Sequence, residues 1–221
     1  MSGSPKIRAV VFDLDGLMLN TEDVFELAGV ELLARRGLQM TDDIRRGMMG
    51  RRAHEAFEVL KRKTGLQEDL MSLMLETKEL FAELSENRLG VMPGLINLLD
   101  LIEERQLPKA VATSSPRAYM EYHLEKFHLR HRFPVTFTAE DVTHGKPHPE
   151  IYLTVAASLS VEPSEMLVLE DSETGSQAAA SAGAFVVSVP TRHTTYGDFS
   201  RSHLVISSLE DAGLIELFQP K

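Results

Sequence analysis

The chain has 221 residues, 43% apolar and 25% charged, with a net charge of −10 at neutral pH and no cysteine. That length holds one sizeable domain, or one domain with a smaller insert, and the composition is ordinary for a soluble globular protein. The acidity argues against a nucleic-acid partner, which usually meets a basic face, and the missing cysteines exclude disulfides, thiolate zinc sites and cysteine nucleophiles.

The apolar run after Lys6 and Arg8 is short and stops at Asp13, unlike a signal peptide. No run approaches the roughly 18 apolar residues of a membrane helix. A cytoplasmic monomer with no membrane partner is the expectation.

Residues 7–12, Ile-Arg-Ala-Val-Val-Phe, read as a strand: β-branched, apolar and too short for a helix. The run ends in Asp13-Leu14-Asp15-Gly16, two carboxylates one residue apart. From Thr21 to Arg88 the pattern is helical throughout, over 22–35, 41–48, 51–64 and 67–86, with a stop at Gly37 and a restart at Thr41. A helical block of about 65 to 70 residues is too long for a simple crossover. It reads as an inserted helical cap over 21–89, between core segments 1–20 and 90–221, with "VMPGL" at 91–95 as the turn back into the core.

Strands and helices then alternate. Strands are expected at 109–114, 134–139, 166–171 and 184–189, with a weaker one at 203–207; helices at 94–106, 116–127, 149–159 and 173–182. Such alternation predicts βαβ units, an α/β fold with a parallel sheet covered on both faces. The near-continuous apolar character of the strands agrees with that burial.

Ligands of such sheets bind beyond the carboxyl ends of the strands. Four segments bring polar groups there: Asp13 and Asp15; Thr113-Ser114-Ser115; Lys146 in "THGKPHPE"; and Glu170-Asp171. Three or four carboxylates in one cleft repel each other unless a cation neutralises them, and an all-oxygen set suits magnesium. Magnesium with Lys146 would hold a phosphate dianion, Thr113 and Ser114 adding contacts while also serving to cap the following helix. One aspartate could then attack phosphorus, and the other could move protons. Gly16 would let the chain turn sharply so that backbone N–H groups face the phosphate.

"VFDLDG", "VATSS", "GKPHPEIY" and "LVLEDSETG" resemble, in order, the four motifs of the haloacid dehalogenase superfamily of phosphohydrolases, over nearly the whole chain. The resemblance implies a Rossmann-like core with a helical cap inserted after the first motif. It implies Asp13 as nucleophile, Asp15 as general acid and base, and Thr113 and Lys146 as phosphate ligands. It further implies Mg2+ held by Asp13, the Asp15 carbonyl and Asp171, with Glu170 as ligand or neighbour. Within the superfamily the chain is most similar to the branch of β-phosphoglucomutase and small sugar- and nucleotide-phosphate phosphatases, above all to pseudouridine monophosphatase-like enzymes.

In "MMGRRAHEAFEVL" the basic residues follow Gly50 directly, as in those phosphatases. Arg51 and Arg52 are either a solvated helix face or a grip on a second part of the substrate. The mutase pattern has a lysine where Met49 stands, an arginine at Ala53 and a histidine at Phe25. Asn20 also departs from the branch, which usually has Asp there. The eight histidines show no metal-ligand spacing; His128 and His131 are expected at the surface. A magnesium-dependent phosphatase acting on a small phosphorylated metabolite through a phospho-aspartate is the first expectation. A phosphosugar isomerase is the second, and an inactive member that binds a phosphorylated ligand or a protein is the third.

Overall fold

The computed structural model describes residues 6–48 and 53–219. The apolar runs become six strands: β1 (Ala9–Phe12), β2 (Lys109–Ala112), β3 (Val135–Phe137), β4 (Met166–Glu170), β5 (Phe185–Ser188) and β6 (Leu204–Val205). They form one sheet in the order β3-β2-β1-β4-β5-β6, and every pairing is parallel. Every residue of β1, β2 and β4 is buried, which is why these runs lack a polar face.

The helices are α1 (Thr21–Ala34), α2 (Asp42–Met48), α3 (Ala53–Thr64), α4 (Leu70–Arg88), α5 (Leu95–Glu104), α6 (Arg117–Lys126), α7 (Glu150–Leu159), α8 (Glu173–Ala182) and α9 (Ala212–Glu216). Alternate side chains of a strand point to opposite faces. Ala9 and Val11 of β1 pack with Ile151, Tyr152 and Val155 of α7 and with Ala178, Ala179 and Ala182 of α8. Val10 and Phe12 therefore face the other way, and Phe12 meets Phe133 edge-on at 5.6 Å. Right-handed crossovers from β1 through β2 to β3 place α5 and α6 on that second face. The fully buried stripe Leu95, Leu98, Leu99 and Ile102 of α5 suits this position.

Strand order reverses at β1: the chain steps outward to β2 and β3, then crosses back to β4 on the other side. The carboxyl ends of β1, β2 and β4 thus surround the switch point at which such sheets bind ligands.

The chain separates into two units, one comprising the chain up to Leu19 and from Gly90 onward, the other running from Asn20 to Leu89. In the helical unit α1 packs on α4 and α2 on α3. The Arg36 guanidinium ties it together, donating to Glu76 at 2.6 Å, Glu68 at 2.8 Å and the Leu32 carbonyl at 2.8 Å. Phe25 stacks on Phe81 with centroids 4.0 Å apart. Asn20 Nδ2 donates to the Arg88 carbonyl at 3.2 Å, closing the unit's two ends on each other. An aspartate cannot donate that bond, which gives Asn20 a local reason. In the sheet unit, Met92 N–H donates to the Met18 carbonyl at 2.8 Å and Leu19 pairs antiparallel with Val91. No helix among the described residues is long and apolar enough to cross a membrane.

Three expectations needed the most revision, the first being the strand over 203–207, of which β6 keeps only two residues. The strand expected over 134–139 is β3, three residues long, because Thr138 caps a tight turn through its own hydroxyl and Asp141. α9 was not expected: it has five residues, one of them buried, and starts on Asp211, whose carboxylate accepts from Gly213 N–H.

Candidate active site

β1 delivers Asp13 to the carboxyl edge of the sheet, where its N–H donates to the Leu169 carbonyl of β4 at 3.0 Å. Beside it, β4 ends in Glu170 and Asp171; all three carboxylates are buried. One carboxylate oxygen from each lies within 4.8 Å of the others. The loop before α7 brings in Lys146, whose Nζ donates to Asp13 Oδ1 and Glu170 Oε1, each at 2.5 Å, and to the Ala112 carbonyl at 3.0 Å. Its side chain is only 4% exposed. Tyr152 of α7 also donates its hydroxyl to Glu170 Oε1. Ser172 Oγ donates to Glu170 Oε2 at 3.2 Å while accepting from Gly175 N–H at 3.1 Å, and so both orients Glu170 and starts α8.

Two glycines make room for these groups. Gly16 has φ +78°, and a Cβ there would sit 2.8 Å from Asp171 Cγ, overlapping the carboxylate. A Cβ on Gly175 would overlap the Glu170 carboxylate. The Gly16 N–H donates to the Leu19 carbonyl at 2.9 Å, and Leu19 N–H donates to the Leu14 carbonyl at 3.1 Å, so the turn closes on itself.

Three buried carboxylates against one ammonium leave an excess of negative charge in a region of low dielectric. Burial, with Glu170 and Asp15 adding to it, pushes the Asp13 carboxyl up to about 8, against the pull of Lys146. Burial would lower Lys146, but Asp13 and Glu170 outweigh it and hold the ammonium well above the ordinary lysine value. Burial, then Glu170, raises the Tyr152 phenol. These oxygen-only donors with surplus charge fit a hard divalent cation, and Asp13, Glu170 and Asp171 are the residues that would hold one.

Asp15 stands apart from that cluster. Its Oδ2 accepts from Ser115 Oγ at 2.6 Å and Thr113 Oγ1 at 3.4 Å, and its Oδ1 accepts from Tyr119 Oη at 3.1 Å. Thr113 Oγ1 in turn accepts from Ser115 N–H at 3.0 Å. A carboxylate held on both oxygens by hydroxyls from β2's end and α6 has a fixed direction.

Of the residues read from sequence, Asp13, Lys146, Glu170 and Asp171 come together directly, and Asp15 and Thr113 meet each other. Ser114 is exposed, and its neighbour Ser115 carries the hydroxyl that reaches Asp15. Gly50, Arg51 and Arg52 lie outside the described residues. Ser115 was within reach of the sequence, since it belongs to "VATSS". Tyr152 likewise closes "GKPHPEIY", although nothing there marks its hydroxyl as functional, and Tyr119 lies outside the motifs, with nothing in its spacing to distinguish it from a helix packing residue.

The pattern of the whole chain agrees with a known family. Residues 10–189 match the family profile described as haloacid dehalogenase-like hydrolase. The chain belongs to this family. Among haloacid dehalogenase-like relatives, a phosphorylated carbohydrates phosphatase of Thermotoga maritima is 30% identical over 225 residues, covering 97% of this chain and 95% of that protein. A Drosophila melanogaster protein, described as a candidate pseudouridine-5′-phosphatase, is 31% identical over 226 residues, covering 93% and 91%. A crystal structure of a candidate β-phosphoglucomutase from Thermotoga maritima shares the fold with a TM-score of 0.82 and 27% identity, covering 95% of this chain and 99% of that one. The superfamily, its phosphatase and mutase branch and the α/β fold expected from the four motifs are therefore correct.

Proposed function

We propose that this chain is a magnesium-dependent phosphatase acting in the cytoplasm on a small phosphorylated metabolite, a sugar phosphate or nucleoside monophosphate, through a phospho-aspartate at Asp13. The observation that carries the reading is the pairing of two differently built carboxylates: Asp13, buried beside Lys146 and the acidic cluster, and Asp15, held by hydroxyls. The names of the relatives, a phosphorylated carbohydrates phosphatase among them, support the substrate class.

Asp13 Oδ forms a bond to phosphorus as the bond to the leaving oxygen breaks. Asp15 gives its proton to that oxygen, and the dephosphorylated metabolite departs. As a carboxylate, Asp15 then takes a proton from a water whose oxygen attacks the phosphorus, releasing inorganic phosphate and restoring Asp13. Ser115 and Tyr119 keep Asp15 aimed through both proton transfers. Lys146 stays charged throughout and, with the Thr113 hydroxyl, holds the phosphoryl oxygens. Mg2+ on Asp13, Glu170, Asp171 and the Asp15 carbonyl would supply the positive charge that lets a carboxylate approach a phosphate dianion. The helical unit is assigned the role of substrate-selecting cap, with Gly50, Arg51 and Arg52 as its recognition residues.

Phe25 favours hydrolysis over isomerisation. Where the mutase pattern has a polar histidine, this chain has a ring stacked on Phe81, with no proton to exchange. The test is phosphate release from a panel of sugar phosphates and nucleoside monophosphates, with magnesium and with chelator, beside Asp13→Asn. Magnesium-dependent release that disappears in Asp13→Asn supports the proposal. Interconversion of a glucose phosphate without free phosphate would instead make the chain an isomerase, and binding without turnover would make it an inactive member.

A further inference from the structure

The loop between β3 and α7 gathers a second set of ligating side chains, chemically unlike the acidic cluster. His144 and His148 lie two residues to either side of Lys146, and Glu150 opens α7. His144 and His148 stand four residues apart and Glu150 two further on, but the first two lie in a loop and not on a helix, and it is the fold of that loop that brings the three together. His144 Nδ1 lies 2.9 Å from Glu150 Oε2, and His148 Nδ1 lies 3.7 Å from the same oxygen. The two rings have centroids 4.6 Å apart, and one ligand atom from each of the three residues lies within 4.8 Å of the others.

These distances can be compared with what a metal requires. A tetrahedral zinc ion with bonds of about 2.0–2.1 Å spaces neighbouring donors about 3.3–3.4 Å apart. The observed 2.9 and 3.7 Å fall on either side of that value, each within half an ångström of it, and the third separation, between the imidazoles, is within 4.8 Å. Glu150 is fixed in place: its Oε1 accepts from Thr143 N–H at 2.7 Å and its Oε2 from His144 N–H at 3.0 Å. The Thr143 N–H first, then the His144 side chain and N–H, hold its carboxyl down to about 2, so it is an anion at neutral pH. The second lone pair of Oε2 is directed at the His144 ring nitrogen, on the side where the two imidazoles meet. Occupation would give up two hydrogen bonds, His144 Nδ1 to Glu150 Oε2 at 2.9 Å and Glu150 N–H to His148 Nδ1 at 3.3 Å, and would release the His144 ring proton.

We propose that His144, His148 and Glu150 form a binding site for a late first-row divalent ion of the zinc class, with water completing the coordination on the open side. Two imidazoles and one carboxylate select such ions over magnesium, which the all-oxygen cluster suits instead. The site brackets Lys146 in sequence, so an ion held there ties together the two sides of the loop that presents the ammonium. The proposal does not depend on the phosphatase reading, because its readouts are binding.

The experiment titrates the full chain with Zn2+ by calorimetry, and with Co2+ by visible absorption, in excess Mg2+. One equivalent should bind, with imidazole-ligated, low-symmetry Co2+ absorption. Affinity should fall roughly tenfold or more in His144→Ala and in His148→Ala. It should hold in His54→Ala, an exposed histidine elsewhere, and in Asp171→Asn, which alters the acidic cluster. Because both loop histidines are exposed, their variants should fold with unchanged circular dichroism. Absence of binding by the wild type would overturn the proposal. So would a His144→Ala/His148→Ala double variant that binds Zn2+ as tightly as wild type, or a loss of binding in Asp171→Asn.

Discussion

Replacing Lys146 with methionine tests whether the ammonium is what keeps the carboxylate cluster folded and functional. The side chain keeps its approximate length and loses its charge, leaving Asp13 Oδ1 and the Ala112 carbonyl without the ammonium and Glu170 Oε1 with the Tyr152 hydroxyl alone. One-sided removal of a buried ion pair costs about 3–5 kcal/mol. Part of that is relieved because Asp13 can keep its proton, so the expected loss near pH 8.5 with chelator is about 3 kcal/mol. For a chain of this size that is a Tm fall of roughly 6–12 °C.

The sign of the pH dependence follows from the raised Asp13 value. A carboxyl raised on folding contributes stability that is complete below its unfolded value and is lost as pH rises through the folded one, here about 8. Wild type stops losing stability near that point because Asp13 then ionises against Lys146. The variant has no cation there and goes on losing, so its deficit widens above about pH 8. Magnesium, a substitute for the missing charge, should narrow it. Thermal unfolding of both proteins at several pH values, with chelator and with magnesium, reads all of this. A Tm within the error of wild type across the pH range, unaffected by magnesium, would refute the reasoning.

Four further outcomes are expected. Tyr119→Phe removes one of the donors to Asp15 and should lower kcat about three- to tenfold with KM nearly unchanged in steady-state kinetics. Gly16→Ala forces a left-handed φ on alanine, at about 1–2 kcal/mol, and pushes its Cβ into Asp171. It should therefore raise the magnesium concentration needed for activity, whereas Gly37→Ala, with φ +69° and open space, should cost stability alone. Asp171→Asn should leave residual phosphate release that no longer responds to chelator. Glu103→Gln strips Lys109 and Arg132 of a shared partner and should lower Tm by roughly 2–4 °C, for about 1 kcal/mol. Arg132 first, and Lys109 with it, holds the Glu103 carboxyl down to about 2, so that contribution is present above the ordinary glutamate value. It is lost as pH falls through about 2, and the two proteins should converge in acid.

The sheet was legible because burial on both faces forces long apolar runs, and those runs stand between helix-forming segments. The carboxylates were legible because strand ends have fixed positions in such a sheet, so Asp13, Glu170 and Asp171 could be placed at one edge from their order alone. What failed to show was anything that depends on which way a side chain leaves a helix or a loop. Ser115 and not Ser114 faces Asp15, a choice made by the turn into α6. Tyr152 looks like any aromatic core residue of α7 until its hydroxyl is found on Glu170. His144, His148 and Glu150 converge only because their loop doubles back. α9 escaped because five residues are too few for a period of 3.6 to be visible.

The central claim is that Asp13 becomes phosphorylated, and chemical trapping tests it most directly. The full chain would be mixed with its best substrate and magnesium, quenched within a turnover, reduced with borohydride and digested for mass spectrometry. An acyl phosphate at Asp13 would be reduced to homoserine at that position, only when substrate and magnesium are both present and not in Asp13→Asn. Phosphate release from the wild type with residue 13 unaltered, or with reduction at another carboxylate, would contradict the account.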